Sequence, residues 1–374
     1  MRNISYWELE SYFKNIDDLV VGGGIVGMST AVYLKQKFPG RRVVVLERDT
    51  FSAGASTKNA GFACFGSPSE IASDLLKMSE EEVVSLIRFR FDGLLALRAL
   101  LGDDAIGYKP CGGFELFRDS DRELFSKCVE NMEVFNRITM EAIGAKAYSS
   151  SHETPVFNGR NKFIGSIYNH LEGSIHTGNM MRSLKKCCVS LGVEFFNGLN
   201  VEEIHLNGEK VTVQIEGGEI APHRVFICIN GFAKKLLPSL EVNAVRNQVL
   251  VTSKLQNPIL ESTYHVDEGY IYFRPIDDRL LIGGFRNTDR ENETTSEFGV
   301  TTFIQEKIER FISDYITLEK VTIDYRWSGI LGVGDTKKPI VERYSENIFV
   351  GVRMGGMGVA IGNLIGKKLS ELAD

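Results

Sequence analysis

No apolar run in this chain approaches the roughly 20 residues that a membrane-crossing helix needs. The opening segment MRNISYWELESYFKNIDD also lacks the apolar core of a secretory signal. Cysteine is sparse: six residues, dispersed except for adjacent Cys187 and Cys188 and never in C-x-x-C spacing, which argues against both a disulfide framework and a zinc site. Basic charge is short as well. A formal net charge of -6 without a basic tail excludes nucleic acid as a bulk partner. There is no low-complexity linker and no fixed-period repeat. These absences lead to the expectation of a cytoplasmic protein with reduced, mostly buried thiols. The opening segment, with Trp7, Tyr12 and Phe13 among acids, reads as a short amphipathic element docked on the body.

What the chain does have is a core-forming composition, 43% hydrophobic and 25% charged, over 374 residues, enough for two domains or one domain with a large insertion. The stretch DLVVGGGIVGMSTAVYLKQKFPGRRVVVLERD places Gly22, Gly24 and Gly27 between the apolar run Leu19-Val20-Val21 and a helical pattern. That context gives a G-x-G-x-x-G spacing its meaning: a tight turn, room for a pyrophosphate, and close packing of helix on strand. The next strand, Val43 to Leu46, ends at Glu47, where an acid can accept hydrogen bonds from a ribose diol.

Farther along, Pro68 to Leu101 reads as two helices, IGYKPCGGFELF as strand, turn and strand, and Asp119 to Gly144 as another helix. Residues from Gln248 to Asn287 are strand-rich, with Asp277-Asp278 joining two strands, and a helix follows from about Thr301 to Tyr315. The end, NIFVGVRMGGMGVAIGNLIGKKLSELA, repeats strand, glycine turn and helix. A chain that opens and closes on such a turn favours FAD over a nicotinamide cofactor, because FAD is long enough to need contact at both ends.

In this order the residues resemble the D-amino-acid oxidase-like flavoproteins, which include glycine oxidase, sarcosine oxidase and gamma-glutamylputrescine oxidase-like amine oxidases. The resemblance rests on five stretches: GGGIVG…VVVLERD, AGASTKNAGF, GSIHTGNMMRSL, YFRPIDDRLLIGG, and YRWSGILGVGDTKKPIV with GVRMGGMGVAIG. It implies an α/β plus α+β protein, a Rossmann-type FAD-binding domain interleaved with a mixed or antiparallel-sheet substrate domain. The expected boundaries are 1–100, 145–235 and 325–374 for the FAD unit, and 101–144 and 236–324 for the substrate unit.

The resemblance also implies noncovalent FAD held by Gly22, Gly24, Gly27, Glu47, Arg48, Ser56, Thr57, Asn59, Ala60, Gly61, Val201, Asn230, Gly231, Arg353, Gly355, Gly356, Met357 and Gly358. It implies oxidation of the C–N bond of an amine or amino-acid-like substrate, with Lys58, Asn59, Tyr272, Arg274, Trp327 and Arg353 as candidate catalytic residues. Two departures stand out. Leu331 occupies the neighbourhood of the family's carboxylate-binding arginine, so Arg274 becomes the candidate anchor. Leu281 stands where sarcosine oxidases place an oxygen-promoting lysine, implying slow reoxidation by oxygen beside an artificial acceptor.

Plainer readings accompany these. Arg274 could be a surface cation, or could pair with Asp277. Arg353 could pair with a buried acid, and Lys58 could be a solvated loop residue. Cys64 reads as a small buried hydrophobe rather than a covalent flavin link, and His176 as a cap for the following helix. His152, His205 and His265 carry no motif and read as structural. No metal site is expected. A competing class is a 2-hydroxy-acid oxidoreductase similar to L-2-hydroxyglutarate oxidising enzymes; it needs a base, and a histidine in the flavin pocket would favour it. A non-catalytic FAD-binding module is the third reading.

Overall fold

The structure, a computed structural model, describes residues 4–151, 154–256, 260–317 and 319–374. Its first layer is a six-stranded sheet in the order Ile340–Ser345, Ile348–Val352, Arg224–Ile227, Asp18–Val21, Val43–Glu47, Glu194–Asn197. All neighbouring pairs are parallel except the first. Asp18–Val21 and Val43–Glu47 are buried throughout, which is why their sequences are continuous rather than alternating.

One face carries the helices Ile25–Lys37 and Gly358–Glu371, packed on each other. Asn363 bridges them, donating to Ser29 Oγ at 3.3 Å and accepting from the Tyr33 hydroxyl at 3.0 Å. Each helix follows a parallel strand, so both begin at the sheet's carboxyl edge, the usual crevice for a ligand in such sheets. The other face packs beneath the strands Val201–Asn207, Lys210–Ile215 and Gly218–Ile220.

A second sheet of eight strands runs in the order Ile323–Val333, Asn243–Thr252, Arg279–Gly284, Ile271–Ile276, Thr263–Val266, Gly113–Phe117, Gly165–Asn169, Tyr148–Ser151. Its pairs are antiparallel apart from Thr263–Val266 with Gly113–Phe117. One face buries Leu250, Phe273 and Ile282 with Ile304, Ile308 and Phe311 of the helix Thr302–Phe311. The strand period of two therefore turns Tyr272 and Arg274 to the opposite face, away from that core. Asp277 and Asp278 form the tight turn with φ of 46° and 60°, joining the two strands as expected.

Three expectations change. Tyr148–Ser151, Gly165–Asn169 and most of Ile323–Val333 fall within the segments assigned to the FAD unit, yet they hydrogen-bond into the eight-stranded sheet. IGYKPCGGFELF contributes one strand, Gly113–Phe117, and elsewhere only an isolated bridge between Lys109 and Ser174. Pro110 has no N–H with which to extend that bridge. Near the N-terminus, Phe13 packs on Phe196 at 5.5 Å between ring centres, but Trp7 is 74% exposed. No helix among the described residues is long and apolar enough to cross a membrane.

Candidate active site

A cavity of about 1280 Å³ runs between the two layers. This exceeds the roughly 300–1,000 Å³ of ordinary small-ligand pockets, leaving room for a large cofactor and a substrate together. Its wall includes Gly22, Gly24, Glu47, Arg48 and Val201 as well as the C-terminal turn Gly355, Gly356, Met357 and Gly358. Ser56, Lys58, Asn59, Ala60, Gly61, Asn230, Tyr272 and Leu331 lie on the same wall.

Gly22 adopts φ 105°, and a Cβ on Gly27 would sit 1.9 Å from the Gly22 carbonyl oxygen. Gly27 thus shapes the turn from behind and does not line the cavity. Glu47, 8% exposed, accepts from the Gly23 amide at 3.0 Å and from the Asp49 amide at 3.1 Å. Burial raises its pKa despite these two bonds. Its oxygens retain acceptor capacity, the chemistry a ribose diol needs. Ser56 Oγ accepts from the Ile25 amide at 2.9 Å, tying the second segment to the first helix. Arg48 stacks its guanidinium 4.2 Å from the Phe232 ring centre.

The segment around residues 56–61 is held from behind, and several predicted catalytic residues do the holding. Asn59 donates to the Ser56 carbonyl at 2.8 Å, while its Oδ1 accepts from the Gly61 amide and the Thr177 hydroxyl, each at 2.9 Å. Its amide is committed within the loop. Thr57 is turned to the Ser52 carbonyl at 2.6 Å and does not line the cavity. The Trp327 indole donates to the Lys58 carbonyl at 2.9 Å and is likewise outside the cavity wall. Lys58 itself remains on the wall, its ammonium 5.6 Å from the Phe298 ring centre.

The two arginine expectations are corrected. Arg274 is buried and off the cavity wall; it donates to the Ala60 carbonyl at 2.6 Å and the Ile175 carbonyl at 3.0 Å. Burial lowers its pKa to about 10, and no carboxylate pairs with it among the described residues. It is neither a surface cation nor an ion-pair partner of Asp277. Arg353 lies outside the cavity wall, with φ 65°, and spends its guanidinium on the carbonyls of Lys338 and Glu241, each at 3.0 Å. It braces the loop after Ile323–Val333. That loop is also tied down by Lys337, 2.7 Å from both Glu70 and Asp74. Against the opposing effect of burial, Arg90 and Lys337 hold Glu70 down to about 2.

Gly231 packs against the Leu331 carbonyl, and Asn230 Oδ1 accepts from the amides of Arg353 and Met354 at 3.1 and 3.2 Å, fixing the entry to the C-terminal turn. Leu281 is buried with Ala60, Val249 and Val251 and is absent from the cavity wall. His176 caps its helix, accepting from the Asn179 amide at 3.1 Å, and His205 lies on the surface beside Glu203. His152 lies outside the described residues.

Two residues were missed. His265, paired in register with Tyr272, lines the cavity beside Phe62, ring centres 5.0 Å apart. Its Nε2 meets the buried carboxylate of Glu172, and ligand atoms of Cys64, Glu172 and His265 lie within 4.8 Å of one another, a grouping the expectation of no metal site did not foresee. Burial pushes the Cys64 thiol far up, in keeping with an inert buried thiol. Arg286 also lines the cavity, with its guanidinium 4.8 Å from the Tyr270 ring centre and no side-chain hydrogen bond or ion pair among the described residues. The signal for His265 was the alternation in Thr263–Val266, whose Tyr264 and Val266 point into the core.

A buried acid beside one glycine turn and a second glycine turn across the same cavity fit FAD. The FAD dependent oxidoreductase (DAO) family matches residues 17–372. The chain belongs to that family. Among curated proteins it is similar to gamma-glutamylputrescine oxidoreductase of Escherichia coli K12, 24% identical, with 95% of this chain and 83% of that protein covered. Among solved structures it resembles L-proline dehydrogenase from P. horikoshii, with TM-score 0.75, 15% identity, and 96% and 93% of the two chains covered. Glycine oxidase from Geobacillus kaustophilus is similar, with TM-score 0.73, 20% identity, and 95% and 94% covered. This DAO-family enzyme is therefore an FAD-dependent oxidoreductase with the family's fold.

Proposed function

We propose that the enzyme oxidises the C–N bond of an amine or amino-acid-like substrate, using noncovalently held FAD. The observation that carries this reading is the continuity of the cavity, from Glu47 and both glycine turns to an aromatic end lined by Phe62, Tyr270, Tyr272 and Arg286. The relatives, which include a gamma-glutamylputrescine oxidoreductase and a glycine oxidase, support the substrate class. FAD supplies the two-electron acceptor. The chain's own part is to position and desolvate the substrate, which suffices for much of the rate when a C–H bond is well aimed.

In this reading Glu47 holds the adenosine ribose, Val201 borders the adenine, and the turn before Gly358–Glu371 presents helix amides to developing negative charge. Arg286 takes over from Arg274 as the carboxylate anchor, because it is a cation at the aromatic end whose side chain has no hydrogen bond or ion pair among the described residues. Tyr272, whose hydroxyl accepts from Asn247 at 2.9 Å, forms the floor there. The FAD-binding unit is built on the six-stranded sheet, and the substrate unit on the eight-stranded one. Six free cysteines suit a cytoplasmic setting.

A second reading, oxidation of a 2-hydroxy acid, is favoured by one observation: His265 on the cavity wall can serve as the base that a hydroxyl requires. An anaerobic screen of amines, amino acids and hydroxy acids for bleaching of the flavin tests both. Bleaching by amines or amino acids alone supports the first reading; bleaching by hydroxy acids alone replaces it with the second. Flavin that none of them reduces refutes both readings. Acid precipitation should release yellow flavin into the supernatant; flavin retained in the pellet refutes noncovalent binding.

A further inference from the structure

We infer that His265, oriented by Glu172, is the proton acceptor for the substrate, taking the proton from the nitrogen whose carbon is oxidised. The inference rests on the oxidation reading above and adds a residue to it. The two imidazole nitrogens have different surroundings. Nε2 meets Glu172, whose carboxylate also accepts from the Thr263 hydroxyl at 2.7 Å and is 3% exposed. Nδ1 faces Gly269 on the cavity wall: a Cβ placed on that glycine would lie 4.0 Å away. Nδ1 has no hydrogen-bond partner among the described residues.

A neutral imidazole that donates Nε2–H to a carboxylate carries its lone pair on Nδ1, so this arrangement leaves the nitrogen beside Gly269 as the basic one, on a ring that lines the cavity. Glu172 is fixed in turn by its packing on Gly113, where a Cβ would come within 2.4 Å of the carboxylate carbon. Arg286 and Tyr272 line the same cavity, and Tyr272 is paired in register with His265 and shares the Phe62 contact with it, so a substrate held by Arg286 across Tyr272 can present its nitrogen to His265.

The chemistry balances. An ammonium substrate has no lone pair with which to expel a hydride. Breaking its N–H bond sends the proton to Nδ1 and leaves the electron pair on nitrogen. That pair is then free to form the C=N bond as the adjacent C–H bond gives up hydride, for which bound FAD would be the two-electron acceptor. The product leaves as an iminium.

The groups facing His265 are Cys64 and Glu172, with Tyr272 alongside and Glu115 and Glu70 farther off. Burial opposes protonation of the ring, but Glu172, Glu115 and Glu70 outweigh it and lift the pKa above the ordinary imidazole value. The base is active when neutral, so flavin reduction should accelerate as pH rises through that lifted value. Removing the Glu172 charge should move the inflection to lower pH.

The test is anaerobic stopped-flow reduction of the flavin across pH, in the wild-type enzyme, His265→Asn, His265→Gln and Glu172→Gln, using the best substrate from the screen. The expected result for both His265 variants is full FAD content and a fall in the limiting rate of about 100-fold or more. The rate should lose its acid-side inflection, while photoreduction stays unchanged. Glu172→Gln should keep an inflection at lower pH. A second readout, nitrogen NMR of labelled histidine in the wild-type protein, should show Nε2 protonated and Nδ1 bare at high pH. An unchanged rate and pH profile in folded His265 variants would overturn the inference, as would the opposite tautomer. If the variants fail to fold, the tautomer and the Glu172→Gln profile decide. Loss of activity with chelators and its recovery with zinc would also overturn it, in favour of a metal held by Cys64, Glu172 and His265. Flavin that no substrate reduces in the wild-type enzyme would instead refute the oxidation reading on which the inference rests.

Discussion

Replacing Glu47 with glutamine separates what the fold requires of this residue from what the cofactor requires. Glu47 is 8% exposed, and its carboxylate accepts from two backbone amides, at 3.0 and 3.1 Å, without an ion pair among the described residues. An amide has one acceptor oxygen where a carboxylate has two, so Glu47→Gln leaves one backbone N–H without its acceptor, a cost of about 1–3 kcal/mol. Against this, the substitution removes a buried charge. Because the pKa of Glu47 is raised by burial even with both amides in place, its surroundings favour the neutral form. The two effects should largely cancel in the flavin-free protein.

FAD binding has no such compensation. A ribose hydroxyl loses a charged acceptor worth about 1–3 kcal/mol, or roughly a 5- to 150-fold rise in Kd. The sign of the pH effect follows from the same shift. A carboxyl with a folded-state pKa above its unfolded value holds its proton longer in the folded chain. Stability of the flavin-free protein should therefore fall as pH rises from the ordinary carboxylate range through the raised value, and Glu47→Gln should remove that slope. Flavin fluorescence titration gives the Kd, and calorimetry of the flavin-free protein gives its Tm. Unchanged FAD affinity would refute the ribose role. A drop in stability as large as the drop in affinity would show that Glu47 chiefly maintains the turn.

Gly27→Ala should destabilise the protein by at least about 1–3 kcal/mol and abolish FAD retention, because the new methyl collides with the Gly22 carbonyl; normal Tm and flavin content would contradict this. Arg274→Met should lower Tm by leaving the Ala60 and Ile175 carbonyls without their donor, at about 1–3 kcal/mol each. A folded variant with unchanged Tm and a selective rise in the substrate concentration for half-maximal reduction would restore Arg274 as the anchor. Arg286→Met should raise that concentration about tenfold, equivalent to about 1.4 kcal/mol, with Tm and FAD content unchanged; unaltered saturation by a carboxylate-bearing substrate would exclude it.

The glycine turns were legible because their information is backbone information. A Gly-rich spacing between an apolar strand and a helix prescribes the turn whatever lies around it, and the same holds for Asp277-Asp278 between paired strands. The polar side chains near that turn are a different case. Asn59, Arg274, Trp327 and Arg353 are polar side chains beside the expected flavin, and their type alone suggests chemistry. In the fold each is bound to main-chain groups, three of them reaching segments remote in sequence: Ala60 and Ile175 for Arg274, Lys58 for Trp327, Lys338 and Glu241 for Arg353. A carbonyl acceptor leaves no mark in the sequence, so a bracing arginine and a substrate-binding arginine read alike.

His265 is the converse case. It lacks a motif because its partner, Glu172, arrives from a loop 93 residues away. Yet the alternation of Tyr264, His265 and Val266 already turns the imidazole away from the core, and the register with Tyr272 then decides which wall it joins. A lone polar residue on the cavity-facing register of a sheet is therefore a better guide to the cavity wall here than an arginine beside the loop at residues 56–61. The sheet has few ways to satisfy such a group except by a partner or a ligand, whereas the loop has carbonyls to spare.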